Sequence, residues 1–292
     1  MYNIVKFEEA HSVKEAIQLL QENPKARLIA GGSDVLIKIH GGKIEDTELI
    51  SIHGIPELSG ISYEADGTIV IGSGTTFSKI ANHPLIIENV PVLGEAVEMV
   101  GGPQIRNIGT IGGNICNGVT SADSASTLFA LDASLRIQGA SGIRIIAIED
   151  FYQGPGKVDL QHDEILTAVL LSQENYRGFG GHYIKYAMRN AMDIATLGCA
   201  VVCKIKDKML VEDFRLAFGV AAPTPVRCRK AEKLAIGKTF SEELLDEISK
   251  AAVAEVNPRT SWRASKEFRL QLVEELSKRA FKEAFIKAGG EL

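Results

Sequence analysis

Cysteine is scarce. Cys116, Cys199, Cys203 and Cys228 are the only four in 292 residues, and no two have the C-x-x-C spacing of a zinc or iron–sulfur site. So few in so long a chain make no disulfide scaffold, which points to a reducing compartment. The histidines, six in all, form no H-x-x-H or H-E-x-x-H pattern, so no metal site is expected. No apolar run approaches the roughly 20 residues that span a bilayer, so no membrane association is expected. The opening stretch MYNIVKFEEAHSVKEA has neither the basic start nor the apolar core of a secretory signal, and a cytoplasmic location is expected. Positive charge is not in excess either: 32 basic against 37 acidic residues leave a net charge of −5, with no electrostatic case for nucleic acid. A Walker A motif and a G-x-S-x-G elbow are both missing, which leaves nucleotide hydrolysis and serine-hydrolase chemistry unsupported.

What is present is ordinary packing material, 45% hydrophobic and 24% charged, enough for more than one core. Ser12-Val13-Lys14-Glu15 reads as a capping box, followed by an apolar helix face at Ala16, Ile17, Leu19 and Leu20. Residues 26–30 read as a buried strand running into Gly31-Gly32, so a β–α–β start is expected. Residues 61–73 read as a hairpin about Asp66-Gly67. Helices are expected at 78–81, 91–100 and 122–130, and paired strands at 135–138 and 144–148. A further strand is expected at 165–171, with a polar loop and a domain boundary at 173–181. Strands follow at 197–205 and 214–220, then helices at 242–256, capped by Ser241, and 266–288. Strands and helices mix without strict alternation, so the expected class is α+β.

Two glycine-rich segments stand out. Arg27-Leu28-Ile29-Ala30-Gly31-Gly32-Ser33-Asp34 takes a strand into two glycines, a hydroxyl and an acid. Such a turn either is a plain bend or converges its amides into a nest for phosphate oxygens. Residues 107–115, closed by Asn117-Gly118 and Asp123, pack glycines, amides and hydroxyls between apolar neighbours. They suit either a bend between packed elements or a buried loop against an extended polar ligand. Gly72-Ser73-Gly74 begins like a dinucleotide fingerprint but lacks its third glycine and its β–α–β setting. Gly154-Pro155-Gly156-Lys157 lacks P-loop spacing and reads as a turn. From the residues alone the reading is a phosphate-containing cofactor held by two glycine loops, without a name for it.

The pentapeptide at 30–34, Thr110-Ile111-Gly112-Gly113-Asn114 and Asp123 resemble the FAD-binding subunits of molybdenum hydroxylases. In the same order come 102–107, 154–157, 163–166, 185–195 and Arg263–Arg269, so the resemblance runs over essentially the whole chain. It implies an N-terminal FAD-binding domain over 1–174, built of two α/β subdomains of vanillyl-alcohol-oxidase type (about 1–55 and 56–174). A C-terminal sheet-and-helix domain over 175–292 would follow. Arg27, Leu28, Ile29, Ala30, Gly31, Gly32, Ser33 and Asp34 would wrap the pyrophosphate of a non-covalent FAD. Gly109, Thr110, Ile111, Gly112, Gly113 and Asn114 would reach the pyrophosphate and the ribityl–flavin region, and Asp123 a cofactor hydroxyl. Ile165 and Leu166 would pack on the adenine side. Ile184 and Lys185 would approach the flavin or its pyridine-nucleotide partner, and residues 188–194 would cover the flavin face. Val100 stands where eukaryotic relatives have an aromatic cofactor contact.

The implied activity is electron transfer in a xanthine dehydrogenase-like complex. Electrons would pass from 2Fe–2S clusters on a partner subunit to FAD and then to NAD, with molybdopterin on another subunit. Aldehyde, nicotinate or CO hydroxylation, or a free-standing FAD-dependent oxidoreductase, are the alternatives. No four-cysteine insertion is present, which argues against the hydroxybenzoyl-CoA reductase branch. The basic stretch Arg259, Arg263, Lys266 and Arg269 around Trp262 is either a solvated helix face or a subunit contact.

Overall fold

Residues 3–291 are described by a computed structural model. The first unit is a small parallel sheet in which Thr47–Ser51 lies between Ile4–Glu9 and Ala26–Ile29. The helix Val13–Glu22 begins as its sequence suggests: the Ser12 hydroxyl accepts from Glu15 N–H at 3.1 Å. The Glu15 carboxylate reaches back, but to the N–H of His11 at 2.7 Å. Ala16, Ile17 and Leu20 fall on one face of that helix and close a small core over Ala26 and Ile50.

The second unit is an antiparallel sheet of five strands in the order Ile61–Tyr63, Ile69–Gly72, Ile165–Leu171, Ser134–Gly139, Gly142–Ala147. Its central strand, Ile165–Leu171, is buried along its whole length, as a strand covered on both faces must be. The third unit is a four-stranded antiparallel sheet ordered Gly180–Tyr186, Leu197–Lys206, Leu210–Gly219, Val226–Arg227. Period-two alternation explains its double burial. Leu197, Cys199, Val201 and Cys203 face the core formed with Glu242–Glu255 and Lys266–Lys287. Ala200 and Val202 face the core shared with Pro91–Glu98 and Asp123–Ala130. Two helices are thus held between the second and third sheets, and no described helix is long and apolar enough to cross a membrane.

Two expectations need correction. Residues 107–115, read as a bend or a buried loop, follow a short helix, Pro103–Arg106, and run into another, Ile111–Cys116. Its glycines are tolerated because Thr110 caps the second helix, its hydroxyl accepting from Gly113 N–H at 3.1 Å. The stretch 173–181 ends inside a strand, since Gly180 pairs with Cys203. The helix Val35–His40 and the strand Thr47–Ser51 are not among the expected elements; Ile4–Glu9 supplies the first strand of the expected β–α–β start without carrying a clear period. Val5 and Phe7 point outward on an edge strand, so burial never imposed an alternation there.

Candidate functional site

A cleft of about 910 Å³ opens where the first two units meet, within the range of cofactor sites. One wall is the strand Ala26–Ile29 and the turn that follows it. Gly32 adopts φ +74°, a left-handed conformation that disfavours any side chain, and the short helix Val35–His40 starts just beyond. The N–H groups of Gly31, Gly32, Ser33 and Asp34 donate to no acceptor among the described residues. Four unspent donors in succession on a concave turn form the kind of nest that accepts anionic oxygens.

The facing wall is built differently. Ile111 N–H donates to Thr75 O at 3.1 Å and Gly112 N–H to Ser73 O at 2.8 Å. Gly113 N–H goes to the Thr110 hydroxyl and Asn114 N–H to Thr110 O at 3.0 Å. These amides are spent within the protein. The glycines there serve close approach instead: a Cβ on Gly112 would lie 2.6 Å from Ser73 Cβ, and one on Gly31 would lie 2.0 Å from Ile108 O. The two glycine segments therefore press backbone to backbone at the bottom of the cleft.

Around this floor stand Lys25, Arg27, Lys38 and Lys43, with Val100, Ile165 and Leu166 supplying apolar wall. Lys38 Nζ donates to Asn117 Oδ1 at 2.6 Å, tying the two walls together. Glu164 is held by Arg144 through two bonds of 2.8 Å, and that guanidinium keeps its carboxyl below the ordinary value. Burial pushes the Cys116 thiol up to about 12, so it meets the cleft as a neutral thiol rather than a nucleophile. Among the described residues no group of three His, Cys, Asp or Glu side chains could hold a metal ion.

Of the residues expected from sequence, Arg27, Leu28, Ile29, Ala30, Gly31, Gly32, Ser33 and Asp34 all line this cleft. So do Val100, Gly109, Thr110, Gly112, Gly113, Asn114, Ile165 and Leu166. Four do not. Ile111 is fully buried and packs into the central core. Ile184 packs against the C-terminal core. Asp123 lies behind the wall, its carboxylate taken up by Lys185 Nζ and the Tyr183 hydroxyl, both at 2.8 Å. Burial pushes the Asp123 carboxyl above its ordinary value, and those two donors pull it back. Lys185 also donates to Met99 O at 2.9 Å, so it braces the stretch that presents Val100 to the cleft. Met188, Met192 and Ile194 sit on an exposed loop away from the lining.

Sequence reasoning missed Ser73, Gly74 and Phe77 as cleft residues, and Tyr183 as a partner of Asp123. For the first two the signal existed: glycine density directly after a strand, at 72–74. Tyr183 left none, because its partner is 60 residues away.

Residues 3–172 match the family described as the FAD binding domain in molybdopterin dehydrogenase, and residues 182–284 the CO dehydrogenase flavoprotein C-terminal domain. The chain is 45% identical to the xanthine dehydrogenase FAD-binding subunit of Escherichia coli over the full length of both. It is 32% identical to the carbon monoxide dehydrogenase medium chain of Hydrogenophaga pseudoflava, covering 94% of this chain and 95% of that one. A solved carbon monoxide dehydrogenase from Hydrogenophaga pseudoflava superposes with a TM-score of 0.93 at 30% identity, over 98% of this chain and 99% of the other.

Proposed function

The chain belongs to the FAD-binding subunits of the molybdenum hydroxylases, and from that premise we propose that it is the electron-transfer subunit of a xanthine dehydrogenase-like complex. When bound, FAD would supply the redox chemistry, taking electrons from 2Fe–2S clusters on a partner subunit and passing a hydride to NAD. Hydroxylation itself would take place at a molybdenum cofactor on another subunit.

The observation that carries this reading is the unspent amide nest at Gly31, Gly32, Ser33 and Asp34, facing a capped glycine helix across a long cleft. The chemistry of FAD matches what these residues offer. A diphosphate needs convergent N–H donors and nearby cations, which the nest and Arg27, Lys38 and Lys43 supply. Ile165 and Leu166 give an apolar slab suited to an adenine ring. Asn114 would offer its side-chain amide to a sugar or ribityl chain, while the Thr110 hydroxyl is spent on Gly113 N–H. Asp123, Lys185 and Tyr183 act from behind the wall, bracing Met99 and therefore Val100.

The test is anaerobic. NADH added to the FAD-loaded chain should bleach the flavin absorbance, whereas xanthine alone should leave it oxidised until iron–sulfur and molybdenum subunits are supplied. Bleaching by xanthine alone would show a substrate site on this chain and overturn the subunit reading. Failure of NADH to bleach would replace NAD by another acceptor.

A further inference from the structure

The carbonyls that follow the helix Pro91–Glu98 are taken up by two cations from different parts of the chain. Lys185, on the strand Gly180–Tyr186, donates to Met99 O at 2.9 Å. Arg106, the last residue of the helix Pro103–Arg106, donates through Nη1 to Val100 O at 3.2 Å and to Gly101 O at 3.3 Å. Three successive carbonyls at a helix C-terminus thus meet positive charge, where the helix dipole favours it. The two cations differ in their company. Lys185 is paired with Asp123 at 2.8 Å. Among the described residues no carboxylate lies within ion-pair distance of Arg106, whereas Arg144, Arg215 and Arg227 each have one. Arg106 is half-buried, and its described side-chain bonds both go to this one turn.

That turn belongs to the cleft. Val100 and Ile105 line it together with Phe77. Gly101 adopts φ +49°, and a Cβ there would lie 3.0 Å from Ile105 Cβ, so the chain doubles back tightly between the two wall residues. Beyond Arg106 the chain reaches the floor. Ile108 backs onto Gly31 of the amide nest, and Gly109 N–H returns to Ile105 O at 2.7 Å. The cleft therefore has two apolar groups. Ile165 joins the core of the first unit with Leu20 and Ala26. Phe77 and Ile105 meet at Gly109, with Val100 across the turn from Ile105. FAD has two flat ends, adenine and the isoalloxazine ring, joined through the diphosphate. With adenine on Ile165 and Leu166, the ring falls to the second group.

We propose that Arg106 is a positioning residue for the flavin ring, an inference that rests on the FAD reading of the cleft given above. Arg106 does not line the cleft; it acts by holding the Val100 and Gly101 carbonyls, and so fixes the turn that sets Val100 and Ile105 against the ring. A planar guanidinium loses little freedom for each bond it makes, which suits it to hold two carbonyls at once. Without it, two helix-end carbonyls lose their donor beside the ring and the wall loosens. The diphosphate nest keeps its own donors at 31–34.

The experiment compares two ligands on the full-length chain stripped of cofactor: FAD, and ADP, which carries the adenine and diphosphate but no ring. In Arg106→Ala, titration calorimetry should show FAD bound about ten-fold more weakly, and ADP within about two-fold of wild type. Arg106→Lys, which keeps a cationic donor, should recover most of the loss. At saturating FAD the visible circular dichroism of the flavin should change in Arg106→Ala and return in Arg106→Lys, a signature that a general loss of stability does not give. If Arg106→Ala does not fold, Arg106→Gln supplies the same comparison. Equal losses for FAD and ADP overturn the inference, giving Arg106 to the floor and the nest instead. Wild-type FAD affinity and dichroism in the variants overturn it as well. A wild-type chain that binds FAD no more tightly than ADP overturns both the inference and the FAD reading of the cleft.

Discussion

The two glycine segments of the cleft look alike in sequence and do opposite things. At 31–34 the backbone turns through a left-handed residue and leaves four N–H groups unspent. At 111–114 every N–H is engaged, and glycine is required because Ser73 comes too close for a side chain. The first is built to receive something, the second to hold the first in place. Glycine content alone cannot separate these roles; the destination of each backbone donor does.

The largest expected effect tests the receiving loop. Gly32→Val should deprive a bound diphosphate of two charge-assisted amide bonds, about 3–6 kcal/mol, or roughly 10² to 10⁴ in FAD affinity. The strained φ should cost the fold only about 1–2 kcal/mol. Isothermal titration with FAD, alongside a melting curve, reads both quantities. Stoichiometric FAD in the purified variant would remove the pyrophosphate assignment.

Gly112→Ala should reverse the pattern. A methyl group 2.6 Å from Ser73 Cβ and 2.8 Å from its carbonyl oxygen forces backbone apart. The expected cost is about 1–3 kcal/mol, or roughly 2–12 °C in melting temperature. FAD affinity of the folded fraction should change less than in Gly32→Val. If calorimetry finds wild-type stability with FAD lost, the second segment is a receiving loop too and the contrast collapses.

A smaller change sharpens it. Thr110→Ala removes the acceptor for Gly113 N–H and should cost about 1 kcal/mol through the lost cap. That N–H then becomes a free donor facing the cleft, so FAD affinity should hold or rise slightly while the melting temperature falls.

The smallest effect concerns acid stability at the cleft rim. Arg144 holds the folded Glu164 carboxyl below its ordinary value of 4.5. Its stabilisation is therefore complete above about that pH and is lost as pH falls through the depressed folded value. The pair is partly solvent-exposed, so the contribution is at most about 1 kcal/mol. Glu164→Gln should flatten that part of the melting temperature against pH between neutrality and strong acid. An unchanged profile would mean that the pair contributes nothing measurable.

Much of the architecture was legible. Ser12, Ser241 and Ser265 each precede a helix that they cap through the N–H three residues on. Asp66-Gly67 marks the hairpin, and the unbroken apolar run at the start of Leu197–Lys206 marks a strand buried on both faces. These features depend on neighbours within four residues, or on a pattern that burial imposes. The helix Val35–His40 escaped because only Ile39 of its four apolar residues is buried, which leaves no period. Likewise, the helix Ile111–Cys116 was hidden by two glycines that oppose helix propensity.

What the sequence determined by itself, then, was the set of elements, their caps and the places where a side chain could not be present. Tertiary structure decided what those places are for. Whether an amide at Gly112 is spent depends on Ser73, and whether Asp123 is available depends on Tyr183 and Lys185, each brought in from another element. Trp262 could have filled a core by composition; it lies outside because Arg269 ties its loop to Thr196 and leaves the indole in solvent. Hydrogen-bond satisfaction and burial are sums over neighbours in space, and distant neighbours leave no local trace in the chain.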